Sequence, residues 1–429
     1  MSPRGKKPAG IHQRCIACGT TYETGDPRPQ CSCGGLLDVE QPKPSVTGAR
    51  LRKKFDDRLG TLRGPFGSGV WRYGEIVLGE ALDEAVTQPE GNTPLIARPM
   101  VSSWAGIDEL LLKHEGHNPT GSFKDRGMTV AVTQARRLGA SAVACATTGN
   151  TGASLASYAA AAGVPALVVV PRDGVAIGKL AQVLAYGGRA VLVRGDFDAC
   201  LRLVVEATNE LGVYLLNSIN PFRIEGQKTI VLEILQQLGW EAPDWIALPA
   251  GNLGNTAAFG KALREALAWG LIDTLPRIAA IQAAGAAPFA HSFSGGFRTR
   301  ETVHAETVAS AIRIGNPASW DRAVATINQT NGVVTTVTDD ELLEAKAVID
   351  GAGVGCEPAS AASVAGVRRL VREGVIGKGE RVVAVLTGHL LKDPSTVTWY
   401  HTEAGARPRA NPPVEIEPRI QELTRILRT

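Results

Sequence analysis

Long apolar runs, blocks of like charge, internal repeats and low-complexity segments are all missing from this chain of 429 residues. Because no apolar run approaches the ~20 residues that span a membrane, we expect no membrane-spanning helix. The net charge is only +3, and basic residues form no block beyond residues 4–7, so nothing favours binding to nucleic acids or membranes. The first ten residues carry charge without an apolar core, unlike a secretory signal. We therefore expect a cytoplasmic protein of two or three domains.

The seven cysteines do not suggest the disulfide framework of a small secreted protein, but four of them cluster near the start of the chain. They follow the pattern Cys-x2-Cys-x12-Cys-x-Cys and are Cys15, Cys18, Cys31 and Cys33. Thiolates at this spacing can close a tetrahedral zinc site, which would be structural because four thiolates leave zinc no open position. The second pair usually encloses two residues rather than one, so a ribbon that binds no metal stays open as an alternative.

Short β-rich runs alternate with longer helices rich in Ala and Leu from residue 118 onward. This alternation predicts an α/β fold with mostly parallel, twisted sheets flanked by helices. The predicted strands are Leu110–Lys113, Ala142–Ala146, Ala166–Val170, Ala190–Val193, Val213–Leu216, Trp245–Leu248, Arg277–Gln282 and Arg381–Leu386. The predicted helices include Arg50–Leu59, Gly152–Ala162, Gly178–Tyr186, Asp198–Leu211, Gln227–Leu238 and Thr256–Trp269.

Lys124 lies between a polar turn and a predicted helix. Asn118, Pro119 and Gly121 precede it and are typical of a loop, and a helical pattern continues to Arg137. In the first turn of that helix, the partial positive charge would help to lower the pKa of the lysine. An amine so placed could form a Schiff base with a carbonyl. The alternative is an ordinary surface lysine after a turn.

Two further loops follow predicted strands and open predicted helices. Residues 147–152 read Thr-Thr-Gly-Asn-Thr-Gly, and residues 251–255 read Gly-Asn-Leu-Gly-Asn. Backbone amides and the helix dipole at such a junction favour an anion, and ligands of open α/β sheets bind beyond the carboxyl ends of strands. The alternatives are a helix cap or simple turn for the first loop, and tight strand–helix packing for the second.

Five segments, taken in order, carry a resemblance to a known family. They are residues 118–127, 147–152, 217–223, 249–255 and 386–389. Together they resemble the motifs of the threonine synthases, which are fold-type II pyridoxal-phosphate (PLP) enzymes, over about Ser68 to His401. The resemblance implies a two-domain fold-type II architecture with a large domain of residues 41–120 and 216–400 and a small α/β domain of residues 121–215. A Cys-rich, zinc-ribbon-like segment at residues 11–40 and a tail at residues 401–429 complete the predicted organisation.

The resemblance also implies the residues that hold the cofactor. Lys124 would bind it covalently and act as the catalytic base, while Asn150 would contact the ring oxygen and Thr387 the pyridine nitrogen. The loop implied for the cofactor phosphate consists of Gly251, Asn252, Leu253, Gly254 and Asn255.

The substrate-binding residues are implied in the same way. Thr148 and Thr151 would bind the substrate carboxylate. The residues implied for the leaving phosphate are Asn217, Ser218 and Arg223, and Lys113 corresponds to a family lysine near the active site. For Arg223 a surface ion pair with Glu225 is the alternative.

The implied reaction converts O-phospho-L-homoserine and water into L-threonine and phosphate. Three alternatives stay open: a threonine or serine dehydratase, a β-replacement synthase acting on O-phosphoserine to make cysteate or cysteine, and a non-catalytic paralogue on the same fold. A homodimer is the assembly that we expect.

Overall fold

The chain arranges its helices around two mainly parallel sheets, with a small antiparallel sheet near its start. This architecture comes from a computed structural model that describes residues 10–147, 149–172, 180–195, 197–403 and 407–428. Two compact units are formed, one ending at Lys392 and the other running from Asp393. In the part of the chain that the structure describes, no helix has the length and apolar character needed to cross a membrane.

Strands and helices alternate through most of the first unit. The strands are β1 (His12–Cys15), β2 (Thr21–Glu23), β3 (Leu37–Glu40), β4 (Leu95–Ala97), β5 (Glu109–His114), β6 (Ala142–Ala146), β7 (Ala166–Pro171), β8 (Arg189–Val193), β9 (Val213–Leu215), β10 (Trp245–Pro249), β11 (Arg277–Ala283), β12 (Val333–Val337) and β13 (Arg381–Leu386). The helices are α1 (Gly48–Asp56), α2 (Pro99–Ala105), α3 (Lys124–Arg137), α4 (Asn150–Ala162), α5 (Ala181–Ala185), α6 (Phe197–Leu211), α7 (Pro221–Gln227), α8 (Thr229–Gln237), α9 (Gly254–Ala268), α10 (Pro288–Ser294), α11 (Trp320–Gln329), α12 (Asp339–Gly351), α13 (Pro358–Arg372), α14 (Pro394–Thr402) and α15 (Ile420–Leu427).

The larger sheet has six strands in the order β12-β11-β10-β13-β5-β4. All pair in parallel except β4, which closes one edge antiparallel to β5. Every residue of the central strand β10 is buried, as expected of a parallel strand covered by helices on both faces. Parallel pairing brings the carboxyl ends of β5, β10 and β13 to one edge, so the loops that follow them meet there.

The smaller sheet has four parallel strands in the order β8-β7-β6-β9. Central β6 is completely buried, whereas the edge strand β8 has no buried residue. Helix α3 packs against α4, which lies between two strands of the smaller sheet. It also packs against α7, which lies between the last strand of the smaller sheet and β10 of the larger one.

The sequence predicts the α/β class and the position of the main strands correctly, but it misses two strands of the larger sheet. One is β4, which has only three residues, and the other is β12, a β-branched run at the opposite edge. The predicted helix Gly178–Tyr186 is observed over Ala181–Ala185, its first two residues lying outside the described ones. The strands of the smaller sheet fall within residues 121–215, while the domain boundaries themselves stay predictions.

Candidate active site

The turn that precedes Lys124 is fixed from two directions. Asp125 accepts hydrogen bonds from the backbone nitrogen and the hydroxyl of Thr120, at 2.7 and 2.6 Å. The backbone nitrogen of Phe123 donates to the carbonyl oxygen of Thr387 at 3.0 Å. The loop after β13 and the start of α3 are therefore held together, and the lysine is presented at their junction.

Lys124 is the first residue of α3, so it lies in the first helical turn as the sequence predicts. Its amine is 4.1 Å from the centre of the Phe123 ring, and no hydrogen bond or ion pair joins it to a described residue. Burial, together with the positive charge of Arg223, lowers the pKa of Lys124 to about 7, although the carboxyl of Glu357 opposes the shift. At neutral pH a large fraction of the amine is thus neutral and nucleophilic.

Arg223 lies on α7 with its side chain buried. Its Nη1 donates to the carbonyl oxygen of Leu216 at 3.2 Å, whereas Nε and Nη2 have no partner among the described residues. Burial lowers the pKa of Arg223 to about 10, so the guanidinium is charged at neutral pH. The alternative of a surface ion pair with Glu225 is wrong, because Glu225 is buried and pairs with Lys228 and Lys261, at 2.6 Å each.

The loop of residues 251–255 connects β10 to α9. A Cβ atom on Gly251 would clash with neighbouring backbone, and Leu253 has a left-handed backbone with φ of 62°. Helix α9 begins at Gly254, and the N–H groups of its first turn have no acceptor within the helix. The buried hydroxyl of Thr256 also lacks a partner among the described residues. This junction therefore offers several donors and the positive end of a 15-residue helix to an anion.

A buried carboxyl group links the other two polar residues predicted for the cofactor. Glu357 accepts a hydrogen bond from Asn150 Nδ2 at 2.9 Å and another from Thr387 Oγ1 at 3.3 Å. Ser360 adds a contact of 3.0 Å between its hydroxyl and that of Thr387. Burial raises the pKa of Glu357, which these hydrogen bonds partly oppose. Side chains from the starts of α4 and α13 and from the end of β13 are thereby fixed relative to one another.

The segment after β9 is tied to both sheets. The side-chain amide of Asn217 bonds to the backbone of Ala146 in both directions, at 3.0 and 2.9 Å. The hydroxyl of Ser218 accepts a hydrogen bond from Asn252 Nδ2. Most of the hydrogen-bonding capacity of the Asn217 side chain is thus used by the backbone. Among the residues predicted to bind the leaving phosphate, Arg223 therefore keeps the most donor groups without a partner among the described residues.

These loops enclose a cavity of about 690 Å³ at the carboxyl ends of the strands. The structure brings together around it almost all of the residues that the sequence predicts. Those that line it are Lys124, Asn150, Thr151, Asn217, Ser218, Arg223, Gly251, Asn252, Leu253, Gly254, Asn255 and Thr387. Thr148 lies outside the described residues.

Lys113 is the exception, and its predicted place beside the substrate requires correction. It does not line the cavity, and its amine is enclosed by Glu233 Oε1 at 2.6 Å, Thr93 O at 2.7 Å and Gln237 Oε1 at 2.8 Å. The side chain is completely buried on β5. An ammonium so surrounded serves the fold rather than a ligand.

Comparison with known proteins identifies the family of this chain. A family model described as pyridoxal-phosphate dependent enzyme matches residues 86–388. The threonine synthase of Methanocaldococcus jannaschii is 44% identical over 424 residues, covering 97% of this chain and 99% of that protein. The threonine synthase of Methanosarcina acetivorans is 47% identical over 389 residues, covering 90% and 93%.

This chain belongs to the threonine synthase family of PLP-dependent enzymes. Its fold is also that of the threonine synthase crystal structure from Escherichia coli, with a TM-score of 0.71 over 96% of this chain and 94% of that one. The identity to that protein is 19%, so the likeness extends to the fold alone.

The residues present suit the PLP cofactor of this family. Lys124 has a pKa of about 7, so a large fraction of its amine is neutral and available for covalent attachment at neutral pH. The donor-rich start of α9 suits a phosphate group. Asn150 and Thr387 line the same cavity and are oriented by Glu357. Each part that PLP requires is therefore supplied by a side chain or loop that the fold holds in place.

Several cavity residues were not found from the sequence. Glu357 is one, because a glutamate before a proline at a helix start carries no signal of its own. Lys392 is another, and its amine donates to the carbonyl oxygen of Thr120 at 3.1 Å and to Gln182 Oε1. Arg313 also lines the cavity, and its side chain is exposed. Their sequence neighbours alone do not reveal that they face one cavity.

Proposed function

We propose that this enzyme converts O-phospho-L-homoserine and water into L-threonine and phosphate. The observation that carries the proposal is that two basic side chains, Lys124 and Arg223, face one cavity and have no ion pair with a carboxylate among the described residues. In a family of threonine synthases, the first suits attachment of the cofactor and the second suits a leaving phosphate.

Lys124 has the properties of the proton-transferring group. When bound, PLP supplies an electron sink that stabilises negative charge at the substrate carbons. With a pKa of about 7, the lysine amine is able to accept a proton from Cα and then from Cβ at neutral pH. Glu357, Asn150 and Thr387 act through orientation, because the carboxyl group fixes the other two side chains.

Arg223 and Ser218 would hold the phosphate as it leaves from Cγ. A planar guanidinium with two unengaged nitrogens can donate two parallel hydrogen bonds to a phosphate. Charge on the leaving group grows as the Cγ–O bond breaks, so this contact strengthens toward the transition state and lowers the barrier. Cγ then takes up a proton in place of the phosphate, the hydroxyl of water adds to Cβ while its proton goes to the released phosphate, and Cα regains a proton, which gives threonine.

The charge of the cavity supports a phosphorylated substrate over a simple amino acid. Among the described lining residues, four are lysine or arginine and one is a carboxylic acid; they are Lys124, Arg223, Arg313, Lys392 and Glu357. A substrate of a serine or threonine dehydratase brings a single carboxylate, whereas O-phosphohomoserine adds a phosphate dianion. The positive excess suits the second better.

A direct substrate comparison tests this function. Purified enzyme with PLP is incubated with O-phospho-L-homoserine, O-phospho-L-serine or L-threonine, while released phosphate is measured and amino-acid and keto-acid products are identified. We expect phosphate and threonine in equal amounts from O-phosphohomoserine and much slower reaction of the others. Faster phosphate release from O-phosphoserine would favour a β-replacement synthase, and rapid keto-acid formation from threonine would favour a dehydratase. Cytoplasmic location and homodimeric assembly stay predictions.

A further inference from the structure

The four clustered cysteines do not line the cavity, and the proposed reaction does not require them. They belong to the ribbon, which we define as residues 11–40 with strands β1, β2 and β3. The four sulfur atoms all lie within 4.8 Å of one another; the residues are Cys15, Cys18, Cys31 and Cys33. Three sulfur pairs are closer still, at 3.6, 3.6 and 3.4 Å.

These distances suit one tetrahedral metal ion better than any disulfide. With Zn–S bonds of about 2.3 Å, the sulfurs of a tetrahedral site are about 3.8 Å apart. A disulfide requires about 2.05 Å, which none of the pairs approaches. We propose that the four thiolates bind one Zn²⁺, which holds the ribbon closed.

The local backbone explains how the short second pair still fits. Gly34 N donates to the carbonyl oxygen of Cys31 at 2.8 Å, which makes a tight turn, and Gly34 takes a positive φ of 82°. The turn folds Cys33 back toward the other sulfurs. A Cβ on Gly35 would lie 2.6 Å from the Cys15 sulfur, so that position requires glycine. One residue between the second pair is therefore sufficient for four-thiolate geometry.

Neighbouring donors further support thiolate ligands. The Tyr22 hydroxyl is 3.0 Å from the Cys31 sulfur, and the Thr20 hydroxyl is 3.2 Å from the Cys18 sulfur. The backbone nitrogen of Cys18 donates to the Cys15 sulfur at 3.5 Å. Such hydrogen bonds orient metal ligands and stabilise their negative charge.

The ribbon is also attached to the rest of the enzyme through β3. Lys261 on α9 donates to the carbonyl oxygen of Val39 and pairs with Asp38 at 3.0 Å, and it pairs with Glu225 on α7 at 2.6 Å. Arg322 donates to the carbonyl oxygen of Leu37. The metal would therefore stabilise a segment whose edge strand β3 contacts α7 and α9. Its role is structural, since four thiolates leave zinc no open position.

Metal analysis of purified wild-type enzyme tests the site. We expect about one zinc ion per chain, released when a thiol-blocking mercurial is added. Exchange for Co²⁺ should give the ligand-field bands of a tetrahedral tetrathiolate site in red light, at longer wavelengths than the absorption of PLP.

The test variant replaces the two exposed cysteines, Cys18→Ser with Cys33→Ser, because these side chains contribute little to packing. Cys145→Ala, a buried cysteine outside the ribbon, is the control.

The double variant should lose the metal and the cobalt bands while the control keeps both. Hydrogen exchange in β3 should become faster in the double variant, while exchange in β10 stays slow. The proposal is overturned if wild-type protein holds no zinc, takes up no cobalt and titrates with four free thiols in the ribbon. Disulfides among these cysteines in freshly purified protein would overturn it as well.

Discussion

Two arginines on neighbouring helices are equally buried and yet differ in every contact. Arg126 on α3 pairs with Glu115 at 2.7 Å and with Glu233 at 2.8 Å, and these carboxylates raise its pKa. Arg223 on α7 has a carbonyl oxygen as its one acceptor among the described residues, and burial lowers its pKa to about 10. The first arginine is satisfied by the fold, whereas the second keeps two nitrogens for something else.

Two lysines repeat the contrast. Lys113 is buried against Glu233 at 2.6 Å, while Lys124 has no ionic partner among the described residues. Leaving a buried cation without a partner is costly, so such a residue persists where a ligand provides the missing contacts. The cluster of Arg72, Lys113, Glu115, Arg126 and Glu233 therefore stabilises the fold, whereas the two basic side chains without an ionic partner among the described residues serve the cavity.

The largest effect on activity is expected when Lys124 is replaced. Lys124→Ala should lower kcat by on the order of 10³-fold or more, because it removes both the attachment point and the base. The free energy of unfolding of the cofactor-free protein should not fall, since the lost amine has no hydrogen bond or ion pair to a described residue. Activity assays and denaturant unfolding check this, with exposed Lys53→Ala as control. Borohydride reduction of wild type should fix PLP to the peptide containing Lys124, and attachment elsewhere would contradict the assignment.

The paired arginine should respond in the opposite way. Arg126→Met leaves two buried carboxylates short of a partner and should lower the free energy of unfolding by about 3–5 kcal/mol. Urea unfolding monitored by far-ultraviolet circular dichroism measures the loss. A stability equal to that of wild type would show that the cluster around Glu233 does not stabilise the fold.

The pKa of Lys124 predicts a distinct pH dependence in cofactor-free enzyme. A folded-state pKa of about 7, well below the ordinary 10.5, means that the amine is protonated below pH 7 and neutral above it. Its rate of acylation by an amine-selective reagent should therefore rise with pH and level off above a midpoint of about 7. Peptide mapping after a brief pulse gives the rate, with the Lys53 peptide as reference. A midpoint near 10 would mean that the site does not depress the pKa.

The smallest effect is expected at Glu357, which acts through its neighbours. Glu357→Gln leaves one acceptor oxygen for two donors, so either Asn150 or Thr387 loses a hydrogen bond. A loss of about 1.4 kcal/mol corresponds to roughly tenfold in kcat. We expect PLP to remain bound, with a shifted absorption maximum. Unchanged kcat and spectrum would show that the carboxyl does not orient the site.

Much of the fold could be predicted because most strands contain a short, largely buried run of apolar residues between helical patterns; these strands are β5, β6, β7, β10, β11 and β13. The rule that ligands bind beyond parallel strand ends also predicted which loops would meet. Edge strands gave weaker signals, since β4 is very short and β12 contains two threonines. Such strands are defined by their pairing partners, which the local sequence does not reveal.

Around Lys124, some features of the site could be predicted from the sequence and others could not. The sequence pointed to Lys124, but it did not show that Asp125 fixes the preceding turn and that Arg126 belongs to the buried ionic cluster. Lys113 was assigned to the substrate from the family resemblance, because the sequence does not show that its amine pairs with Glu233, 120 residues further along the chain. Glu357 was missed for the same reason, since its partners are distant in the chain.

One measurement tests most directly whether Arg223 is kept unpaired for the phosphate. Arg223→Met is compared with Arg126→Met, with kcat/KM for O-phosphohomoserine and the free energy of unfolding determined for both. We predict that Arg223→Met lowers kcat/KM by roughly 30- to several-thousand-fold, corresponding to about 2–5 kcal/mol, while stability is unchanged or increased. An Arg223→Met enzyme that is several kcal/mol less stable, yet has wild-type kcat/KM per folded molecule, would contradict this account.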